Sequence, residues 1–182
     1  MRGRIVVAGL VVLAVSGCGA ERGPVRVPPP APIAVDVAAA SSGGACRLLD
    51  FAVIEQHVKV RFDVAAASDR GDTHTCVVRT EKATVPELTL TVTETSMDKA
   101  TFAADLVPDS AAKVAGLGQQ AYRRTTAASA GHGPVVEVGW LSTDGRLATL
   151  HWTSPRGTAK PAADKVAADL TALAKKVNTR AL

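Results

Sequence analysis

Aromatic side chains are scarce in this chain: three phenylalanines, two tryptophans and one tyrosine make up 3% of its 182 residues. It also has no run of basic residues. A nucleic-acid binder needs a positive track and aromatic stacking platforms, so that class is excluded. A bilayer-spanning helix needs about 20 apolar residues. The uncharged apolar run over residues 5–15 stops well short of that.

Local catalytic signatures are missing as well. No serine sits in a Gly-x-Ser-x-Gly elbow. None of the four histidines, His57, His74, His132 and His151, has ligand spacing to another His, Cys or carboxylate on one element. Gly116-Leu117-Gly118 lacks a third glycine and runs from a predicted helix to a predicted strand, the reverse of a dinucleotide loop. It reads as a helix stop and a tight turn. The acidic groups Glu81/Glu87 and Asp63/Asp69/Asp72 read as strand-edge and turn charges, and nothing recommends a carboxylate-pair hydrolase. No catalytic, cofactor-binding or metal-ligating residue is assigned, and the expectation is a noncatalytic protein.

What the chain does have begins at its start. Arg2 and Arg4 precede the apolar run, and the small pair Ser16-Gly17 follows it, ahead of Cys18. This is the layout of a secretory signal peptide. Val15-Ser16-Gly17-Cys18 also resembles a bacterial lipobox, which implies a diacylglyceryl thioether on Cys18 and cleavage before it. Stable anchoring takes about two acyl chains, and one diacylglyceryl group provides them. The alternatives are an ordinary secreted protein with an incidental cysteine, or a short uncleaved anchor.

Removing the signal takes Arg2 and Arg4 with it, leaving 19 basic residues against 17 acidic ones, a net of +2 rather than +4. Of three cysteines, Cys18 goes to lipid, which leaves Cys46 and Cys76 as an even pair outside the membrane, where disulfides persist. Two free buried thiols are the other reading. Residues 18–45 form a tether: Pro24, Pro28, Pro29, Pro30 and Pro32 favour extended polyproline II, and the Ala/Ser/Gly tail through Gly44 favours flexibility. The expected organisation is a signal peptide over 1–17, a lipidated disordered tether over 18–45, and one globular domain over 46–182.

Within the domain, periodicity predicts a helix over 46–57 and a strand over 58–64, where apolar and polar residues alternate perfectly. A turn over 68–72 leads to a strand over 73–80, with Cys76 and Val78 facing the same way. Residues 86–95 alternate leucine and valine with threonine, which is good strand chemistry. A helix over 97–106 capped by Ser96, a second helical segment over 108–114 and a strand over 119–126 follow. The best-determined hairpin covers 135–153. A two-residue Asp144-Gly145 turn would oppose Val138 to His151. A three-residue loop, Thr143-Asp144-Gly145 with a left-handed glycine, instead pairs Trp140 with Ala148, Val138 with Leu150 and Val136 with Trp152. The second register gathers the large apolar side chains on one face and is the one expected; His151 then faces Glu137 on the solvent side. An amphipathic helix over 161–177 ends the chain, with Ala163, Val166, Leu170 and Leu173 in its apolar stripe.

Lipobox, Pro/Ser/Gly tether, Cys46-Arg47-Leu48-Leu49, a second cysteine some thirty residues on, Gly116-Leu117-Gly118-Gln119-Gln120-Ala121-Tyr122 and the terminal helix together resemble the small actinobacterial lipoproteins that carry a cysteine-paired domain of unknown function. The resemblance implies a location on the extracytoplasmic face of the cell membrane and carries no activity. The expected fold is α+β: a single antiparallel sheet of five or six strands with N-terminal and C-terminal helices packed on one face. The expected role is a lipoprotein, membrane-held through Cys18, presenting its disulfide-stapled domain to an envelope protein or an amphiphilic ligand. The alternatives are a lipid or glycolipid carrier with an apolar cavity, and an envelope hydrolase with a nonlocal site.

Overall fold

The computed structural model describes residues 42–182. The segments expected to be a signal peptide and a lipidated tether, with Cys18, lie outside the described residues up to residue 41. Residues just before Cys46 pack on the domain: Gly44–Leu48 is a 3-10 turn with Ala45 fully buried, and the Ser42 hydroxyl donates to the Ala65 carbonyl at 3.0 Å.

The domain is α+β, with one antiparallel sheet of seven strands in the order β1-β2-β3-β7-β6-β5-β4. These are β1 (Val64–Arg70), β2 (Thr73–Thr80), β3 (Ala83–Glu94), β4 (Ala112–Val114), β5 (Gln120–Thr126), β6 (Val135–Leu141) and β7 (Arg146–Thr153). Three helices accompany them: α1 (Phe51–Val58), a single turn α2 (Lys99–Thr101) that widens into a π turn over Phe102–Leu106, and α3 (Lys160–Ala174). Two meanders, β1-β2-β3 and β4-β5-β6-β7, meet where β3 pairs with β7.

The sheet is larger than the five or six strands expected because residues 112–114 add an edge strand, and its first strand starts later than expected. Residues 58–64 alternate as predicted, with Val58 and Phe62 buried, but only the last of them, Val64, belongs to a strand. Helix α1 runs through Val58, and Lys59 ends it in the left-handed conformation at φ 57°. The stretch then crosses to the sheet without a hydrogen-bonding neighbour until Asp63 N donates to Arg79 O at 3.3 Å. The strand is instead the alanine-rich segment that follows, closed by the two-residue turn Gly71-Asp72. Residues 108–114 also depart from the helical expectation. Ala111 N donates to Pro108 O in a tight turn, and Ala112–Val114 pairs with β5. In the first helix the break is at Leu49, and Asp50 caps α1 by accepting from Ala52 N at 2.7 Å. Asp98, not Ser96, caps the next one by accepting from Thr101 N at 2.8 Å.

One sheet face carries the core. Cross-strand rows such as Cys76–Leu90–Leu150–Val138 and Val92–Ala148–Trp140–Ala121 are buried. Helix α3 lies against β5, β6 and β7, the 3-10 turn lies against β1, β2 and β3, and α1 packs on α3. Leu170 and Leu173 reach the core from α3, Ile54 reaches it from α1, and Phe62 meets the Trp152 ring edge-on at 5.8 Å. The hairpin has the expected register, Trp140 to Ala148, Val138 to Leu150 and Val136 to Trp152, with Gly145 at φ 73°. Cys46 and Cys76 form a disulfide that ties the 3-10 turn to β2.

Candidate functional site

The opposite sheet face is where polar groups converge. Strand pairing places Thr75, Thr91 and Thr149 in one row, Thr73 and Thr93 in a second, and Thr89 beside His151 in a third. All are half-buried, as expected for side chains flanked by neighbours on a pleated surface. Thr73 and Thr93 share a hydrogen bond of 3.0 Å between their hydroxyls. The charges on this face are Arg70 on β1, Arg79 opposite Glu87, Lys113 on β4, and the pair of Arg124 and Glu137, which lies inside the sheet on β5 and β6.

At one corner the face is covered. Residues of the β3–β4 connection, Met97, Phe102, Leu106 and Val107, form a small second core with Tyr122, Leu141 and Leu147. Tyr122, the one tyrosine of the chain, lies across Gly139 and under Phe102, whose ring centroid is 6.0 Å away. Its hydroxyl donates to Glu137 Oε1 at 2.8 Å, and Arg124 Nη2 lies 3.4 Å from both Glu137 oxygens. Burial, and then the hydrogen bond to the Glu137 carboxylate and its charge, push the Tyr122 pKa well above the usual phenol value. The phenol is therefore a fixed donor at neutral pH and not a base. His151 faces Glu137 across the hairpin, as expected.

A second grouping sits in the β5–β6 loop. Ser129 Oγ is 3.0 Å from His132 Nε2, and His132 Nδ1 is 2.7 Å from Gly133 O. The loop is pinned to the body of the domain: Gly133 N donates to Ser154 O at 2.9 Å and Ser154 N to Pro134 O at 3.1 Å. A Cβ at Gly133 would collide with the Pro155 carbonyl oxygen. Residues of this loop, Ala127, Ala128 and Pro134, form a surface groove of about 370 Å³ with Lys160 and Ala163 of α3. In the sequence, His132 is marked only by a glycine on either side. Ser129, three residues earlier, was not singled out; its N–H bonds His132 O at 3.2 Å, closing a four-residue turn that brings both side chains to one side.

The remaining candidates are scattered. His74 pairs with Asp69 at 2.7 Å on the rim near the disulfide, and His57 lies in the last turn of α1. Among the described residues, no group of three or more His, Cys, Asp and Glu side chains is placed to hold a metal ion. Gly116 and Gly118 have φ of 68° and 56°, which makes Gly116-Leu117-Gly118 a tight turn from β4 into β5. Asp144 in the hairpin loop accepts from the Thr179 hydroxyl at 3.1 Å, and Arg146 donates to the Thr179 carbonyl. This clasp fixes the segment after α3. A groove of about 430 Å³ between α1 and the end of α3, lined by Leu49, Val53, Leu173 and Val177, opens to solvent. Between sheet and helices the space is filled by Trp140, Trp152, Leu150 and Leu170, each at most 3% exposed. No helix among the described residues is long and apolar enough to cross a membrane. No protein-family model, curated protein or solved structure matches this chain.

Proposed function

We propose that this chain is an extracytoplasmic lipoprotein, anchored at Cys18, that binds an uncharged, hydroxyl-rich polymer, a glycan, on its threonine face. The observation that supports the reading is the row Thr75, Thr91 and Thr149, which lie in register across β2, β3 and β7, carry no charge among them and are covered by no other element among the described residues. Strands are about 4.8 Å apart, and same-face residues recur about every 6.8 Å, so the hydroxyls make a two-dimensional grid. Each threonine offers a hydroxyl beside a methyl group, matching the alternation of O–H and C–H surfaces on a sugar ring. A lipid would leave the hydroxyls unpaired, which costs about 1–3 kcal/mol for each one desolvated. An acidic or basic polymer would find no opposite charge in the Thr75–Thr91–Thr149 row itself.

The filled interior weighs against the carrier reading, which needs an apolar cavity. The anchor rests on the lipobox resemblance, and the likeness to small actinobacterial lipoproteins is consistent with it. Two experiments test the reading. Full-length protein in detergent should bind soluble neutral polysaccharides better than carboxylated ones, and Thr91→Lys should abolish that binding while leaving the circular dichroism spectrum unchanged. Equal binding by the variant, or a preference for charged polymers, would refute the assignment of the face. Cys18→Ala should move the protein from the membrane to the soluble fraction; unchanged membrane association would refute the anchor.

A further inference from the structure

We infer that Ser129 and His132 form a nucleophilic dyad that cleaves carboxylic esters carrying a short aliphatic acyl group. The inference stands on the β5–β6 loop and is independent of the threonine face. Gly133 O can only accept a hydrogen bond, so the His132 nitrogen 2.7 Å from it, Nδ1, must carry the proton. In the neutral ring Nε2 is then the free base, and it is the nitrogen that meets Ser129 Oγ at 3.0 Å. This is the tautomer and the separation that a serine nucleophile needs, with a backbone carbonyl orienting the imidazole where other dyads use a carboxylate. The orientation is held from outside the loop. Gly133 is buried against Ser154 and Pro155, so the carbonyl that orders His132 is fixed by β7 and its exit.

Two further features suit acyl transfer. Among the described residues, the backbone N–H groups of Ala130, Gly131 and His132 donate to no protein acceptor, so these loop amides are free to donate to an oxyanion. The groove of about 370 Å³ formed by the same loop and the start of α3 is lined by Ala127, Ala128, Pro134 and Ala163 together with Thr125, Thr126 and Lys160. It has room for a short apolar acyl chain and no cation for a charged one except Lys160, which is engaged with Asp164 at 2.8 Å. In the step itself, Ser129 Oγ bonds to the ester carbonyl carbon as its proton passes to His132 Nε2. Collapse of the intermediate breaks the bond to the alcohol oxygen, which takes that proton and leaves, and the acyl group stays on Ser129. Water then adds to the acyl carbon, giving its proton to Nε2, and Ser129 Oγ departs with that proton as the carboxylic acid is released.

The test uses the full-length protein in detergent with p-nitrophenyl acetate, butyrate and palmitate. Turnover is expected with acetate and butyrate and not with palmitate, with an initial burst from the acyl-enzyme. Ser129→Ala and His132→Ala should each reduce it at least about 100-fold, the lower end of what a positioned base contributes. Ser129 is exposed, so its alanine variant should keep the parent's circular dichroism spectrum. A fluorophosphonate should add its mass to the peptide containing Ser129, and not in the His132→Ala protein. Absence of turnover above buffer, or turnover and labelling that survive Ser129→Ala, would overturn the inference. Activity lost in His132→Ala but kept in Ser129→Ala would also overturn it, because an imidazole acting alone gives that pattern.

Discussion

Gly139 is a position where one methyl group should cost more than its size suggests. It sits in the middle of β6, a strand interior, where glycine is normally about 0.5–1 kcal/mol worse than alanine on backbone entropy alone. On propensity, then, Gly139→Ala should stabilise the protein. The structure reverses the sign. A Cβ there would lie 2.6 Å from two Tyr122 ring carbons and 2.8 Å from its hydroxyl oxygen. The ring cannot retreat, since Phe102 packs against it and Glu137 holds its hydroxyl. Displacing it loses a hydrogen bond to a carboxylate, about 1.5–3 kcal/mol, and part of the burial of an aromatic side chain, itself about 1.5–3 kcal/mol when complete. Against the propensity gain, the net is a destabilisation of about 3 kcal/mol, readable from urea unfolding. The phenol gives a second readout because the chain has one tyrosine. In the parent its folded-state pKa lies above the unfolded value near 10. The neutral phenol therefore adds stability that is complete below about pH 10 and is lost as pH rises through the folded pKa. In Gly139→Ala the ultraviolet titration of Tyr122 should fall back toward pH 10. A variant as stable as the parent, with an unchanged titration, would refute the account of Tyr122 as pinned over a glycine.

Other perturbations follow from the same geometry. Removing the disulfide with Cys46→Ala and Cys76→Ala releases a loop of sequence separation 30, which should cost about 3.6 kcal/mol on the chain-entropy model; a loss under about 1 kcal/mol in urea unfolding would contradict that. At Asp144, burial works to raise the pKa, but hydrogen bonds from Ser142, its own backbone and Thr179, with the charge of Arg146, hold it below the usual carboxylate value. Because the folded pKa is depressed, its contribution is present at neutral pH and is lost as pH falls through about 4 and below. Asp144→Asn should therefore flatten the acid limb of stability against pH, and an unchanged limb would count against the clasp.

Much of the fold was readable where local chemistry and tertiary context agree. The 135–153 hairpin is the best case: a glycine able to adopt φ 73° and five large apolar side chains leave only one register that buries them together. Helix α3 is another, because its stripe of Ala163, Leu170 and Leu173 repeats at helical spacing. Residues 58–64 show the limit of periodicity. Alternation there does record which side chains meet the core, since Val58 and Phe62 are buried. Strand membership needs a hydrogen-bonding partner as well, and the left-handed cap at Lys59 turns the chain away before it finds one. The true edge strand, Val-Ala-Ala-Ala-Ser-Asp-Arg, has almost no pattern because only its inward alanines touch the core.

The candidate sites were less readable for a related reason. Tyr122 and Glu137 are 15 residues apart, and Arg124 joins them only once β5 is paired with β6. Their residue types carried no local spacing to detect, but each fell on the expected strand, so correct pairing alone would have assembled them. Ser129 and His132 are the opposite case: close in sequence, yet joined by a turn that no repeat marks. The glycines on either side of His132 are the one signal present, and the structure shows what one of them is for. Gly133 must approach Pro155 without a side chain, and that approach sets the carbonyl that fixes the imidazole. Gly133→Ala should therefore act on the dyad through position alone, lowering turnover of p-nitrophenyl butyrate while both reacting side chains remain. If that variant keeps full activity, the orientation of His132 does not depend on the segment that leaves β7, and the pinned loop loses its role in the chemistry.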